Sequence, residues 1–124
     1  MTSAFVVDDD KLVSALVATW LSRAGYDVKT CSTFAEAKRR ILADSPPVLV
    51  VDVRLEGFNG IHLAILARQL NPDTRIVVLS GYDDPVLRRD AVALGATYLL
   101  KPLNSAELLA AIESSGRAEV DAGS

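Results

Sequence analysis

The sequence predicts an α/β domain: a doubly wound, five-stranded parallel sheet with five helices covering both faces. Three observations predict it. Residues 4–7, 48–51 and 76–79 are unbroken apolar runs, the pattern of strands buried on both faces. Between the strand segments lie stretches whose apolar residues recur at helical spacing. Strict alternation of the two implies right-handed crossovers and a parallel sheet. With 124 residues, half of them hydrophobic, the chain suits one domain around one core.

Each element follows in order. Residues 4–7 are the first strand and run into Asp8, Asp9 and Asp10. From Lys11 to Ala24, the apolar residues Leu12, Val13, Leu16, Val17, Trp20 and Leu21 mark an amphipathic helix, which Gly25 stops. Residues 27–31 alternate polar and apolar, as an edge strand does, with Cys31 a small core residue. Thr33 and Glu36 fit a capping box for a helix to Ala43 that buries Phe34, Ala37, Ile41 and Leu42. Ser45-Pro46-Pro47 breaks the chain before the strand that ends in Asp52.

A loop with Gly57 and Gly60 leads to a helix over 60–70, with Ile61, Ala64, Ile65 and Leu66 inward. Asn71-Pro72-Asp73 is a turn, and the strand over 76–79 ends in Ser80-Gly81. Asp84 before Pro85 reads as a helix N-cap with proline at the first helical position, and Gly95 closes that helix. Residues 97–100 are the last strand, ending in Lys101-Pro102, and Asn104 to Glu107 starts a final helix through Leu108, Leu109 and Ile112. The domain spans 1–116, and 117–124 reads as a flexible tail or the start of a linker.

Composition excludes several function classes. A net charge of −3 argues against direct nucleic-acid binding, and Lys38-Arg39-Arg40 and Arg88-Arg89 read as solvated helix faces. A single cysteine permits no intrachain disulfide and too few ligands for a structural zinc site. No apolar run approaches the roughly 20 residues of a membrane helix, and no leader pattern is visible, so a soluble cytoplasmic protein is expected. His62 reads as a helix-surface residue and Trp20 as packing.

In a parallel sheet the strand C-termini share one edge, where open α/β sheets bind ligands. That edge gathers Asp8, Asp9 and Asp10, Asp52, Ser80 and Lys101. Clustered carboxylates need a counter-charge, which a hard divalent cation such as Mg²⁺ and the lysine supply. Such a site suits a phosphoryl group, and a carboxylate can itself attack phosphorus. Asp10 alone reads better as the first helix's N-cap.

These motifs together resemble bacterial two-component response-regulator receiver domains over residues 3–115. The resemblance implies a flavodoxin-like fold with strand order 2-1-3-4-5. It implies that Asp52 is the phosphoacceptor and that Asp9, Asp52 and the backbone carbonyl of Arg54 bind Mg²⁺, with Asp8 acting through a bound water. It further implies that Ser80 is the switch hydroxyl, that Lys101 pairs with the phosphoryl group, and that the peptide before Pro102 is cis. Tyr98 matches the switch aromatic that turns inward when Ser80 moves, altering the face of the fourth helix, fifth strand and fifth helix. The implied donor is a phosphohistidine on a sensor histidine kinase or histidine phosphotransfer protein. An output domain beyond residue 124 or a phosphorylation-linked dimer would be further partners.

The sequence departs from the family pattern at Glu56, where proline is usual, and at Gly81, where alanine is common. A more mobile loop and altered Mg²⁺ affinity or phosphate lifetime are expected from Glu56. Arg54 and Tyr82 occupy flanking positions that tune dephosphorylation. Two alternatives stay open. Asp8 and Asp10 offer the Asp-x-Asp spacing of a haloacid-dehalogenase-like phosphohydrolase with Asp8 as nucleophile, although Leu12 replaces the preferred threonine or valine. A receiver that no longer signals and serves only for docking is the other.

Overall fold

A computed structural model of the chain describes residues 1–116; the expected tail over 117–124 lies outside them. The elements are β1 (Ser3–Val7), α1 (Lys11–Arg23), β2 (Asp27–Cys31), α2 (Phe34–Ala43), β3 (Val48–Asp52), β4 (Arg54–Leu55), β5 (Phe58–Asn59), α3 (Ile61–Leu70), β6 (Arg75–Ser80), α4 (Pro85–Ala93), β7 (Thr97–Leu100) and α5 (Ser105–Ser114). The main sheet is parallel with order β2-β1-β3-β6-β7, which is 2-1-3-4-5 among its own five strands. β4 and β5 form a separate antiparallel hairpin where the sequence signals only a glycine-containing loop.

The unbroken apolar runs are explained by two cores, one on each face of the sheet. Phe5, Val7, Leu49, Val51, Ile76 and Val78 pack under α2, α3 and α4. Ala4, Val6, Val48, Val50, Val77 and Leu79 face α1 and α5. Successive strand residues alternate between faces, so a central strand needs apolar side chains at every position. β2 lies at the edge, as its alternation predicts, and Cys31 is buried.

The caps bear out much of the local reading. Asp10 accepts from the Leu12 and Val13 N–H groups as N-cap of α1. Asp84 caps α4 ahead of Pro85, and Asn104 with Glu107 forms a full capping box on α5. At α2 half the expected box forms: Thr33 accepts from the Glu36 N–H, while the Glu36 carboxylate pairs with Arg40 instead.

Helix faces are where the reading needs correction. Leu12, Leu16, Leu42 and Ile65 are substantially exposed, and Leu63 and Ala67 are buried in α3 instead. α1, α2 and α3 each cover the sheet with a narrow stripe, so apolar residues off that stripe face outward. Arg68 is buried, donating to the carbonyls of Leu94, Pro72 and Gly116; burial lowers its pKa. Arg75 donates to Ile112, Glu113 and Ser115. Two arginines thus fasten the end of α5 to the rest of the fold.

Candidate functional site

Strand register brings the polar residues to one edge. Val7 pairs with Val51 and Val51 with Val78, so Asp8 follows β1 level with Asp52 at the end of β3. Ser80 closes β6 opposite Leu100, and Lys101 follows directly. The peptide between Lys101 and Pro102 is cis, as the resemblance implies.

Lys101 Nζ donates to Asp8 Oδ2 and to Asp52 Oδ2, each at 3.1 Å. Ligand atoms of Asp8, Asp9 and Asp52 lie within 4.8 Å of one another. Asp8 is 1% exposed and Asp52 6%, while Asp9 is exposed. Burial raises the Asp8 pKa to about 6, against the opposing influence of the Asp10 N–H at its Oδ1 and of Lys101. Burial also works to lower the Lys101 pKa, but Asp52 and then Asp8 outweigh it and leave it raised. Three acids facing one amine leave a net negative site built from hard oxygen donors, which fits a divalent cation of the Mg²⁺ kind.

Backbone donors fix the carboxylates. Asp52 Oδ1 accepts from the Arg54 N–H at 3.2 Å, and Asp9 Oδ2 from the Glu56 N–H at 3.1 Å. Gly60 packs directly beneath the strand end: a Cβ there would lie 2.0 Å from the Asp52 carbonyl oxygen. Glycine is therefore demanded by the close approach of two backbones.

Ser80 is 1% exposed; its Oγ donates to the Tyr82 carbonyl at 2.7 Å and accepts from the Tyr82 N–H. Tyr98 is inward at 7% exposure. Its hydroxyl donates to the same Tyr82 carbonyl and accepts from the Asp84 N–H. The Arg88 guanidinium lies 4.6 Å from the Tyr98 ring centre, and that of Arg54 4.5 Å from the exposed Tyr82 ring.

Sequence reasoning missed Arg88 and the β4–β5 hairpin. Arg88 falls one helical turn past the Asp84 cap, where sequence spacing names no partner. The hairpin turn is Glu56-Gly57, a weaker signal than Asn-Gly or Asp-Gly. The hairpin is tied to Asp9 through the Glu56 N–H, and Phe58 stacks on Phe34 with ring centres 4.9 Å apart. Asp10 stands apart as a cap and His62 is exposed.

The family model for the response regulator receiver domain matches residues 4–113. The chain belongs to that family. Receiver domains serve phosphorylation-dependent signalling, and their acidic pocket binds a divalent metal. The chain is 37% identical over 115 residues to the photosynthetic apparatus regulatory protein RegA of Cereibacter sphaeroides, covering 92% of this chain and 62% of that one. Among the RegA relatives it matches, it spans 62% to 64% of their length. A response regulator from Burkholderia pseudomallei, solved with a phosphorylated aspartic acid, calcium ion and citrate, superposes with TM-score 0.82 at 34% identity. That match covers 90% of this chain and 66% of that one. A CheY-like receiver from Methanospirillum hungatei gives TM-score 0.83 at 25% identity, covering 91% of both chains. Among the described residues of this receiver domain, no helix is long and apolar enough to cross a membrane.

Proposed function

We propose that this receiver domain accepts a phosphoryl group on Asp52 from a phosphohistidine of a sensor histidine kinase or histidine phosphotransfer protein. The observation that carries the reading is the Lys101 ammonium held between Asp8 and Asp52, 3.1 Å from each. Asp8, Asp9 and Asp52, with the Arg54 carbonyl, are the residues that would hold Mg²⁺. Bound there, Mg²⁺ would neutralise phosphoryl oxygens and the acids around them.

In the transfer, an Asp52 carboxylate oxygen forms a bond to phosphorus as the bond from phosphorus to the histidine nitrogen breaks. The electron pair of the broken bond stays on the imidazole. Lys101 then has a dianion beside it and can exchange part of its hold on the carboxylates for the new oxygens. Ser80 is poised one strand away to give up the Tyr82 carbonyl for a phosphoryl oxygen. Its backbone partner Tyr82 leads into Asp84, the cap of α4, so the change is carried toward the face of α4, β7 and α5. An output domain following residue 124, or a second receiver, would read that face.

The test is incubation with acetyl phosphate and Mg²⁺, followed by intact mass. Wild type should gain one phosphoryl group that chelation of the metal prevents, and Asp52→Asn should gain none. Equal labelling of Asp52→Asn would reject the assignment. No observation favours the phosphohydrolase alternative.

A further inference from the structure

Asp9 is the outermost acid of the cluster and the only exposed one of the three. Asp8 and Asp52 are buried and braced by Lys101. An exposed carboxylate beside two others is repelled toward solvent unless something holds it. Here the hydrogen bond that reaches it comes from 47 residues away, from the Glu56 N–H to Asp9 Oδ2 at 3.1 Å.

That donor depends on an unusual backbone. Glu56 has φ 48° and Gly57 φ 87°. Leu55 pairs with Phe58, so these two residues are the whole turn of the β4–β5 hairpin. Positive φ at both central residues is the form of two-residue turn that matches the twist of a hairpin. For glutamate this conformation is strained and persists only where surrounding contacts hold it. The Phe34–Phe58 stack holds one side of the hairpin and the bond to Asp9 the other. Proline could take no part: its φ is fixed near −65°, and it has no N–H.

We propose that the Glu56 N–H is a positioning donor for Asp9, and that this turn holds the outer carboxylate ready for a divalent cation. Glu56 touches neither cation nor phosphoryl group and acts only through Asp9. The inference rests on the reading that Asp8, Asp9 and Asp52 form the Mg²⁺ site.

The test is Mg²⁺ titration by calorimetry on the full chain, comparing wild type, Glu56→Pro and Glu56→Gly. Glu56→Pro should bind about tenfold more weakly, the size of one charge-assisted bond lost. Glu56→Gly keeps the N–H and the positive φ and should stay within about twofold of wild type. Wild-type affinity in Glu56→Pro overturns the proposal. So does an equal loss in both variants, which would place the effect in the glutamate side chain. If Glu56→Pro does not fold, amide exchange decides: the Glu56 amide should be protected in wild type and exchange several-fold faster in Asp9→Ala, and equal rates refute the bond. Should wild type itself show no saturable Mg²⁺ binding, the reading of the cluster falls along with this inference, a result separable from the others because it needs no variant.

Discussion

The hydroxyls of Ser80 and Tyr98 donate to one acceptor, the Tyr82 carbonyl, each at 2.7 Å. A carbonyl oxygen has two lone pairs, so both bonds are satisfied at once. Ser80 can therefore leave without stranding the carbonyl, because Tyr98 stays on it. Tyr98→Phe would strip away that second donor and orphan the Asp84 N–H, while leaving the ring and its Arg88 contact in place. We predict a loss of about 1–2 kcal/mol in urea unfolding and faster amide exchange at Asp84. An unchanged midpoint would mean that the hydroxyl is not holding the β6–α4 segment.

Cation-free stability should depend on pH through Asp8. Its folded pKa is raised from 3.8 to about 6, so the native state keeps a proton that the unfolded chain releases. That contribution is whole below the unfolded value and is lost as pH rises through about 6. The chelated protein should therefore lose on the order of 3 kcal/mol of this contribution by pH 7.5, and Asp8→Asn should flatten the curve. Thermal melts across pH 4–8 check it; identical profiles for the two proteins would contradict the raised pKa of the buried Asp8.

Lys101→Met leaves Asp8 and Asp52 facing each other with no counter-charge. Lys101 retains some solvent exposure, so the cost should be about 2 kcal/mol at pH 7.5 rather than that of a fully buried pair. Adding Mg²⁺ should restore much of the melting temperature, because the cation meets the same repulsion. Failure of Mg²⁺ to rescue the variant would separate the lysine from the acidic cluster.

Gly60→Ala places a methyl 2.0 Å from the Asp52 carbonyl oxygen, with further contacts at 3.0 Å. Its φ of −62° suits alanine, so sterics alone decide the outcome. We predict a loss of about 2–3 kcal/mol and a displaced Asp52 that labels poorly with acetyl phosphate. A variant of wild-type stability would show that the α3 N-terminus is free to withdraw from β3.

The strand ends were legible because each central strand is apolar on both faces and then stops at a polar residue. Asp8, Asp52 and Ser80 could be placed on one edge from that pattern, and Lys101 from the strand–helix alternation that makes β7 parallel to them. The edge strand β2 and the caps at Asp10, Asp84 and Asn104 were equally plain, since their signals are local. What pairs residues across the fold was not legible. Nothing around Arg68 marks it as the buried donor to carbonyls of three separate segments, and Leu42 and Ile65 carry the same apolar signal as buried neighbours. Glu56 announced a departure from the family pattern, but its consequence depends on Asp9, far away in sequence, and on a positive φ that composition does not encode.

Everything proposed for this site depends on which carboxylate takes the phosphoryl group. Peptide mapping after phosphorylation with Mg²⁺, with the acyl phosphate trapped by borohydride reduction, reads this directly. Asp52 alone should be reduced. Modification at Asp8 or Asp9 with Asp52 untouched would contradict it.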